Sequence, residues 1–202
     1  MIHSAEKIAE RLYKENGFAK DSLAPLRVLH LGCGIHKIPD AVGIDRIAFP
    51  VVDVVHDLEQ FPWPFADNSF DVIVAHAVLE HVPDVVRTME EIHRVGSSGG
   101  RFICSVPYFR SVDSANDPTH AHQFTAASMD YFLGDNNARA QYCYTPRRFN
   151  KVAFWFGWPR QSSNPLKRLF RRFITRHARW YDQYLSLIAP VRVLTWELAI
   201  EK

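Results

Sequence analysis

The chain has 202 residues, 47% of them hydrophobic and 23% charged, which suits one domain with a sizeable core and is short for two. Its 24 basic and 22 acidic residues leave a formal charge of +2, so the overall balance does not call for a polyanionic partner. Cys33, Cys104 and Cys143 are widely spaced and odd in number, against a disulfide framework or a CxxC zinc site. The first 20 residues are polar, and no apolar run approaches the roughly 18 residues of a membrane span. A reducing, cytoplasmic setting is expected.

In chain order, Ser4 is placed to cap a first helix that Gly17 ends. Residues 27–31 are apolar enough for a buried parallel strand, residues 41–45 give a second and 51–55 a third. Turn residues Asp67, Asn68 and Ser69 lead into a fourth strand over 70–75. Asp84 then caps a helix with Val85, Val86, Met89, Ile92 and Val95 on one side, ended by the glycines of 96–100. A fifth strand over 101–106 stops at Pro107. Strands alternating with helical patterns predict βαβ units and a parallel sheet. Residues 108–124 read as a long polar loop, and Thr125 as the cap of a short helix around Met129 and Phe132. Residues 141–158 are aromatic and irregular. Asn164-Pro165 opens a long helix to about Ile188, and residues 191–200 close as a last strand.

In an open α/β sheet a ligand lies beyond the carboxyl ends of the strands. Here Gly32 and Gly34 permit a sharp turn and close backbone approach. Asp45, ending the second strand, can accept from vicinal ribose hydroxyls. Asp57 can accept from an adenine amino group, with Leu58 offering backbone and an apolar face. His76 ends the fourth strand, facing the same crevice. A nicotinamide dinucleotide fits less well: Lys37 stands where the fingerprint needs a third small residue, and Asp45 comes 13 positions after Gly32 instead of roughly 20.

These residues carry a family resemblance. Val28-Leu-His-Leu-Gly-Cys-Gly34 is similar to the first motif of class I S-adenosylmethionine (SAM)-dependent methyltransferases, and Gly43-Ile-Asp45 resembles their ribose motif. His56-Asp-Leu-Glu59 with the Phe61–Asp71 stretch resembles the adenine loop and the strand after it, and Val78-Leu-Glu-His-Val82 and Met89–Val95 complete the series. The match is nearest to the small "type 11" group and spans about residues 26–133. It implies a Rossmann-like, mostly parallel sheet with an antiparallel C-terminal edge and helices on both faces. It implies one domain over 1–202, with a cofactor core at 26–133 and acceptor-side elements at 108–190. SAM is the implied cofactor and S-adenosylhomocysteine the product. Cofactor contacts fall on Gly32, Cys33, Gly34, Asp45, Asp57, Leu58, His76 and His81. His30 stands where the family usually has an acid that reaches the cofactor's amino group through water, which keeps a non-catalytic SAM-binding module open as an alternative.

Methyl transfer from a sulfonium needs alignment and water exclusion more than a catalytic dyad. Candidate bases are His120 and His122, with Asp117 placed to orient one of them; the same residues can equally pin the loop. His81 can border the methyl group or cap the next helix. A His-x-His pair supplies only two ligands, so no metal site is expected. Between Leu166 and Ile188 an apolar stripe at helical spacing opposes Lys167, Arg168, Arg171, Arg172, Arg176 and Arg179. This is a lid helix with a solvated basic face or a peripheral membrane contact over 165–188. The aromatics share the apolar stripe instead of interleaving with arginines, against nucleic acid. Small-molecule, lipid-linked or glycan acceptors remain open.

Overall fold

The apolar runs assemble into a seven-stranded mixed sheet in the computed structural model, which describes residues 26–134, 142–157 and 164–202. The helix expected from Ser4 lies outside these residues. The strands are β1 (Val28–Leu31), β2 (Val42–Asp45), β3 (Val54–Val55), β4 (Phe70–His76), β5 (Gly96–Pro107), β6 (Arg148–Phe156) and β7 (Val193–Glu201). They lie in the order β3-β2-β1-β4-β5-β7-β6, with β7 antiparallel between β5 and β6 and the pairs from β3 to β5 parallel. The order reverses between β1 and β4, so their carboxyl ends border one crevice with that of β2.

Side-chain alternation divides the core between the two sheet faces. Leu29, Leu31, Ile73, Ala75, Phe102 and Cys104 join the larger cluster, with Met89, Ile92 and Val95 of helix α1 (Val85–Val95). Asp84 caps α1 by accepting from the Arg87 amide at 2.9 Å, and Gly96 ends it. Val28, Val72, Val74 and Ile103 point the other way and meet Ile38 and Ala41 from the β1–β2 connection.

Several elements differ from expectation. The third strand shrinks to two residues. The loop after β5 holds a short helix, α2 (Val112–Asn116), capped by Ser111. The helix expected after Thr125 is a 3-10 turn, Ser128–Phe132. The aromatic stretch contains strand β6, an edge strand paired to β7. The long C-terminal helix is broken: α3 (Pro165–Arg176), capped by Asn164, stops at His177 (φ −118°). A short α4 (Ala178–Trp180) follows and runs into a π-helical turn, Tyr181–Leu185.

His30 belongs to the smaller cluster's face, where it is buried. Its Nδ1 accepts from the Ile38 amide at 3.2 Å and so holds the β1–β2 connection against the sheet. Burial lowers its pKa to about 4, helped by the nearby His76. The folded protein therefore keeps His30 neutral where the unfolded chain protonates it near pH 6.5. Its contribution to stability is complete above pH 6.5 and is lost as pH falls through the window down to about 4, by about 3 kcal/mol at the limit. A His30→Gln variant should lose less stability on acidification than wild type, measured as the difference between urea unfolding curves near pH 7 and near pH 4.5. The difference cancels the other titrating groups, and parallel losses would exclude the assignment.

Candidate active site

A cavity of about 400 Å³ opens at the strand ends, a size suited to a nucleoside-bearing ligand. Its lining includes Gly32, Asp45, Asp57, Leu58, His81 and Asp117. The fold thus brings six of the residues singled out from sequence to one wall system. Cys33, Gly34, His76, His120 and His122 are not part of the lining.

Asp45 organises the first wall. Its Oδ2 accepts from the Gly34 amide at 2.9 Å and its Oδ1 from the Ile47 amide at 2.9 Å. Each oxygen keeps further acceptor capacity for a ligand. Gly32 has φ +55°, and a Cβ there would lie 2.7 Å from Val78 Cγ2. The turn after β1 is therefore packed directly against the turn after β4, where Ala77 also holds a positive φ of 53°. Cys33 is buried beside Gly43, whose missing side chain leaves room for its sulfur and for the Lys37 stem. Lys37 reaches Asp53 at 2.8 Å, and Asp53 also takes the Gly43 amide.

The second wall is the loop after β3. Asp57 Oδ1 accepts from the Glu59 amide, and the Leu58 carbonyl accepts from the buried Trp63 indole N–H at 3.0 Å. Trp63 in turn gives its amide to Glu91, while Arg94 donates to Glu91, Asp67 and the carbonyls of Trp63 and Phe65. Glu91 and Arg94 thus tie the loop to α1.

The third wall joins the turn after β4 to the loop after β5. His81 Nδ1 donates to Thr119 Oγ1 at 2.9 Å, and that hydroxyl donates to Asp117 Oδ1 at 2.7 Å. Asp117 therefore orients His81 through Thr119, and not His120 or His122 as expected from their proximity in sequence. His120 Nδ1 donates to the Ser114 carbonyl and His122 Nε2 to that of Pro83. His76 bonds the Ser105 hydroxyl, on the sheet face shared with Val72 and Val74. Glu80 is buried, with neither carboxylate oxygen hydrogen-bonded, and burial raises its pKa to about 7. Burial also lowers the pKa of His81, so its ring is neutral at physiological pH.

Seven strands in this order, with the antiparallel strand inserted between the fifth and sixth, make a Rossmann-like class I methyltransferase fold. A SAM-dependent methyltransferase from Mesorhizobium loti superposes on it with a TM-score of 0.53 at 17% identity, covering 98% of this chain and 98% of that one. In sequence, residues 29–104 match the model of a methyltransferase domain. A probable SAM-dependent methyltransferase of Mycolicibacterium smegmatis is 33% identical over 128 residues, 52% of this chain and 49% of that protein. A demethylmenaquinone methyltransferase of Alkalihalophilus pseudofirmus is 34% identical over 55 residues, 24% of this chain and 23% of that one. The chain spans about half the length of the first relative and less of the second.

A Gly32→Ala substitution should destabilise the fold by roughly 1–2 kcal/mol from the left-handed backbone alone, with the Val78 clash adding to it. Thermal unfolding measures the loss, and an unchanged melting temperature would show that the turn is not built this way.

Proposed function

We propose that this chain transfers a methyl group from SAM to an acceptor presented at an anionic lipid surface. The observation that carries the methyl-transfer half is the convergence of Gly32, Asp45 and Asp57 on one cavity. Asp45 receives the ribose hydroxyls on the lone pairs left by its two backbone bonds. Asp57 receives the adenine amino group, and Leu58 supports the ring. The cofactor supplies an activated methyl on a sulfonium; the protein aligns the acceptor and excludes water. A hydroxyl or protonated amine acceptor must also lose a proton. His81 lines the cavity and is neutral, with Nδ1 committed to Thr119, so its other nitrogen is the one placed to take that proton. The His30 side chain bonds the Ile38 amide beneath the sheet and so serves the fold.

Asp45→Ala should weaken S-adenosylhomocysteine binding by roughly 1–3 kcal/mol, the scale for lost charge-assisted hydrogen bonds. Isothermal titration measures this; equal affinities would remove Asp45 from the ribose site, and no binding by wild type would remove the cofactor reading.

The lipid-surface half rests on the C-terminal segment. Ile174 and Tyr181 face the core, yet Leu166 is 77% exposed, Leu169 67% and Ile188 81%, with Phe173, Trp180 and Tyr184 also open. Phe173 and Trp180, and Trp180 and Tyr184, are in ring contact at 6.1 Å, making a continuous aromatic ridge. Lys167, Arg168, Arg172 and Arg176 are exposed on the same segment, and among the described residues none has an acidic partner. An apolar aromatic ridge beside uncompensated cations matches an anionic interface. Arg172→Glu with Arg176→Glu should lower co-sedimentation with phosphatidylglycerol vesicles at least about tenfold, each charge near such a surface contributing on the order of 1 kcal/mol. Equal, low binding of wild type and variant would exclude the membrane contact.

A further inference from the structure

The wall that carries His81 holds a second chemical arrangement. A ring nitrogen of His81, a ring nitrogen of His120 and a carboxylate oxygen of Glu80 lie within 4.8 Å of one another. The two rings meet edge to face with centroids 4.7 Å apart. Each ring spends Nδ1 on an oxygen acceptor, His81 on Thr119 Oγ1 and His120 on the Ser114 carbonyl. That is the way outer-shell oxygens fix the tautomer of a metal-binding histidine, leaving Nε2 for the ion. Glu80 supplies the independent observation: it is 1% exposed, and both of its oxygens lack any hydrogen-bond partner. A buried carboxylate without a donor calls for a compensating group.

We propose that Glu80, His81 and His120 form a binding site for a divalent first-row transition metal, Zn²⁺ by the chemistry of the donors, at the edge of the cofactor cavity. Two imidazoles and one carboxylate make a three-ligand set that leaves a coordination position open. Ligand atoms on tetrahedral zinc sit roughly 3.3 Å apart, so binding draws the three side chains inward by small rotations. Asp117 and Thr119 then act as the outer shell of His81. His81 and Thr119 line the cavity, so an ion held by His81 would border the ligand space, near an oxygen of water or of the acceptor. With the ion bound, His81 is a ligand and not a base. The ion then lowers the pKa of a coordinated acceptor hydroxyl, and the proton leaves to solvent. Only this last role rests on the methyl-transfer reading; the metal site does not.

The test uses the whole chain, freed of metal with a chelator and titrated with Co²⁺, read by its visible ligand-field absorption and by total metal content. One Co²⁺ per chain, displaced by Zn²⁺, is expected. Glu80→Gln and His120→Ala should each weaken Co²⁺ binding at least tenfold, whereas His36→Ala, exposed in the β1–β2 connection, should bind as wild type does. Absence of a Co²⁺ spectrum in wild type at micromolar metal overturns the proposal, whatever the variants do. Wild-type affinity in both ligand variants overturns it equally. S-adenosylhomocysteine titration of each protein reports whether the crevice is folded. Its failure with Co²⁺ binding intact counts against the cofactor reading alone.

Discussion

The third wall of the cavity depends on one carbonyl. The Glu80 carbonyl oxygen accepts from the Ala121 amide at 2.7 Å and from the His122 amide at 3.2 Å, filling both of its lone pairs. The His122 ring adds a bond to the Pro83 carbonyl. These bonds lay the loop after β5 across the turn after β4, and every other feature of the third wall follows. Thr119 reaches His81, His120 packs against the His81 ring, and Phe124 is carried into the core beside Trp196. A polar loop of this length has no sheet or long helix to satisfy its backbone. Docking on a buried turn satisfies both partners, and peeling it away would strip a carbonyl in the core of its donors.

The first wall is held by the same kind of turn-to-turn contact. Val78 occupies the space that a side chain at Gly32 would need, so the turns after β1 and β4 cannot move independently. Asp45 ties the first of these turns to the end of β2, and the Arg94–Glu91 network ties the loop after β3 to α1. The ends of β1, β2 and β4 are thereby cross-connected around the cavity, and the loop after β3 is fixed to α1. Much of this wall is backbone positioned by carboxylates, so that Asp45 both joins two strand ends and lines the cavity.

The strands nearest the crevice were legible because they are largely buried on both faces and read as mostly apolar runs, β1 interrupted only by His30 and β4 apolar from Val72 to Ala75. Strand β6 was not, because it is an edge strand whose outer residues Asn150, Lys151 and Val152 are exposed and break any simple alternation. The break at His177 was equally hidden, since the i, i+3, i+4 spacing of apolar residues continues across it. That the glycine turn, Asp45 and Asp57 border one cavity was legible in the sequence because each ends or closely follows a strand. Glu80 was not. It sits in plain view between Leu79 and His81, but its burial is created by a loop that returns some 40 residues later, a distance no local pattern reports.

The exposed ridge and the cavity are not separate features of the molecule. Asp182, at the start of the π-helical turn, accepts from the Tyr108 hydroxyl at 2.8 Å and from the Ala126 amide at 3.0 Å, and Arg110 donates to Ser186 at 2.9 Å. Tyr108, Arg110 and Ala126 bracket the loop that places Asp117, Thr119 and His120. The segment proposed to meet the lipid surface is therefore bonded to both ends of the loop that forms the third wall. Burial raises the pKa of Asp182 although two donors face it, a cost tolerated where the carboxylate joins two otherwise unconnected pieces of chain. A contact along the ridge would thus act on the third wall of the cavity through a short hydrogen-bonded path.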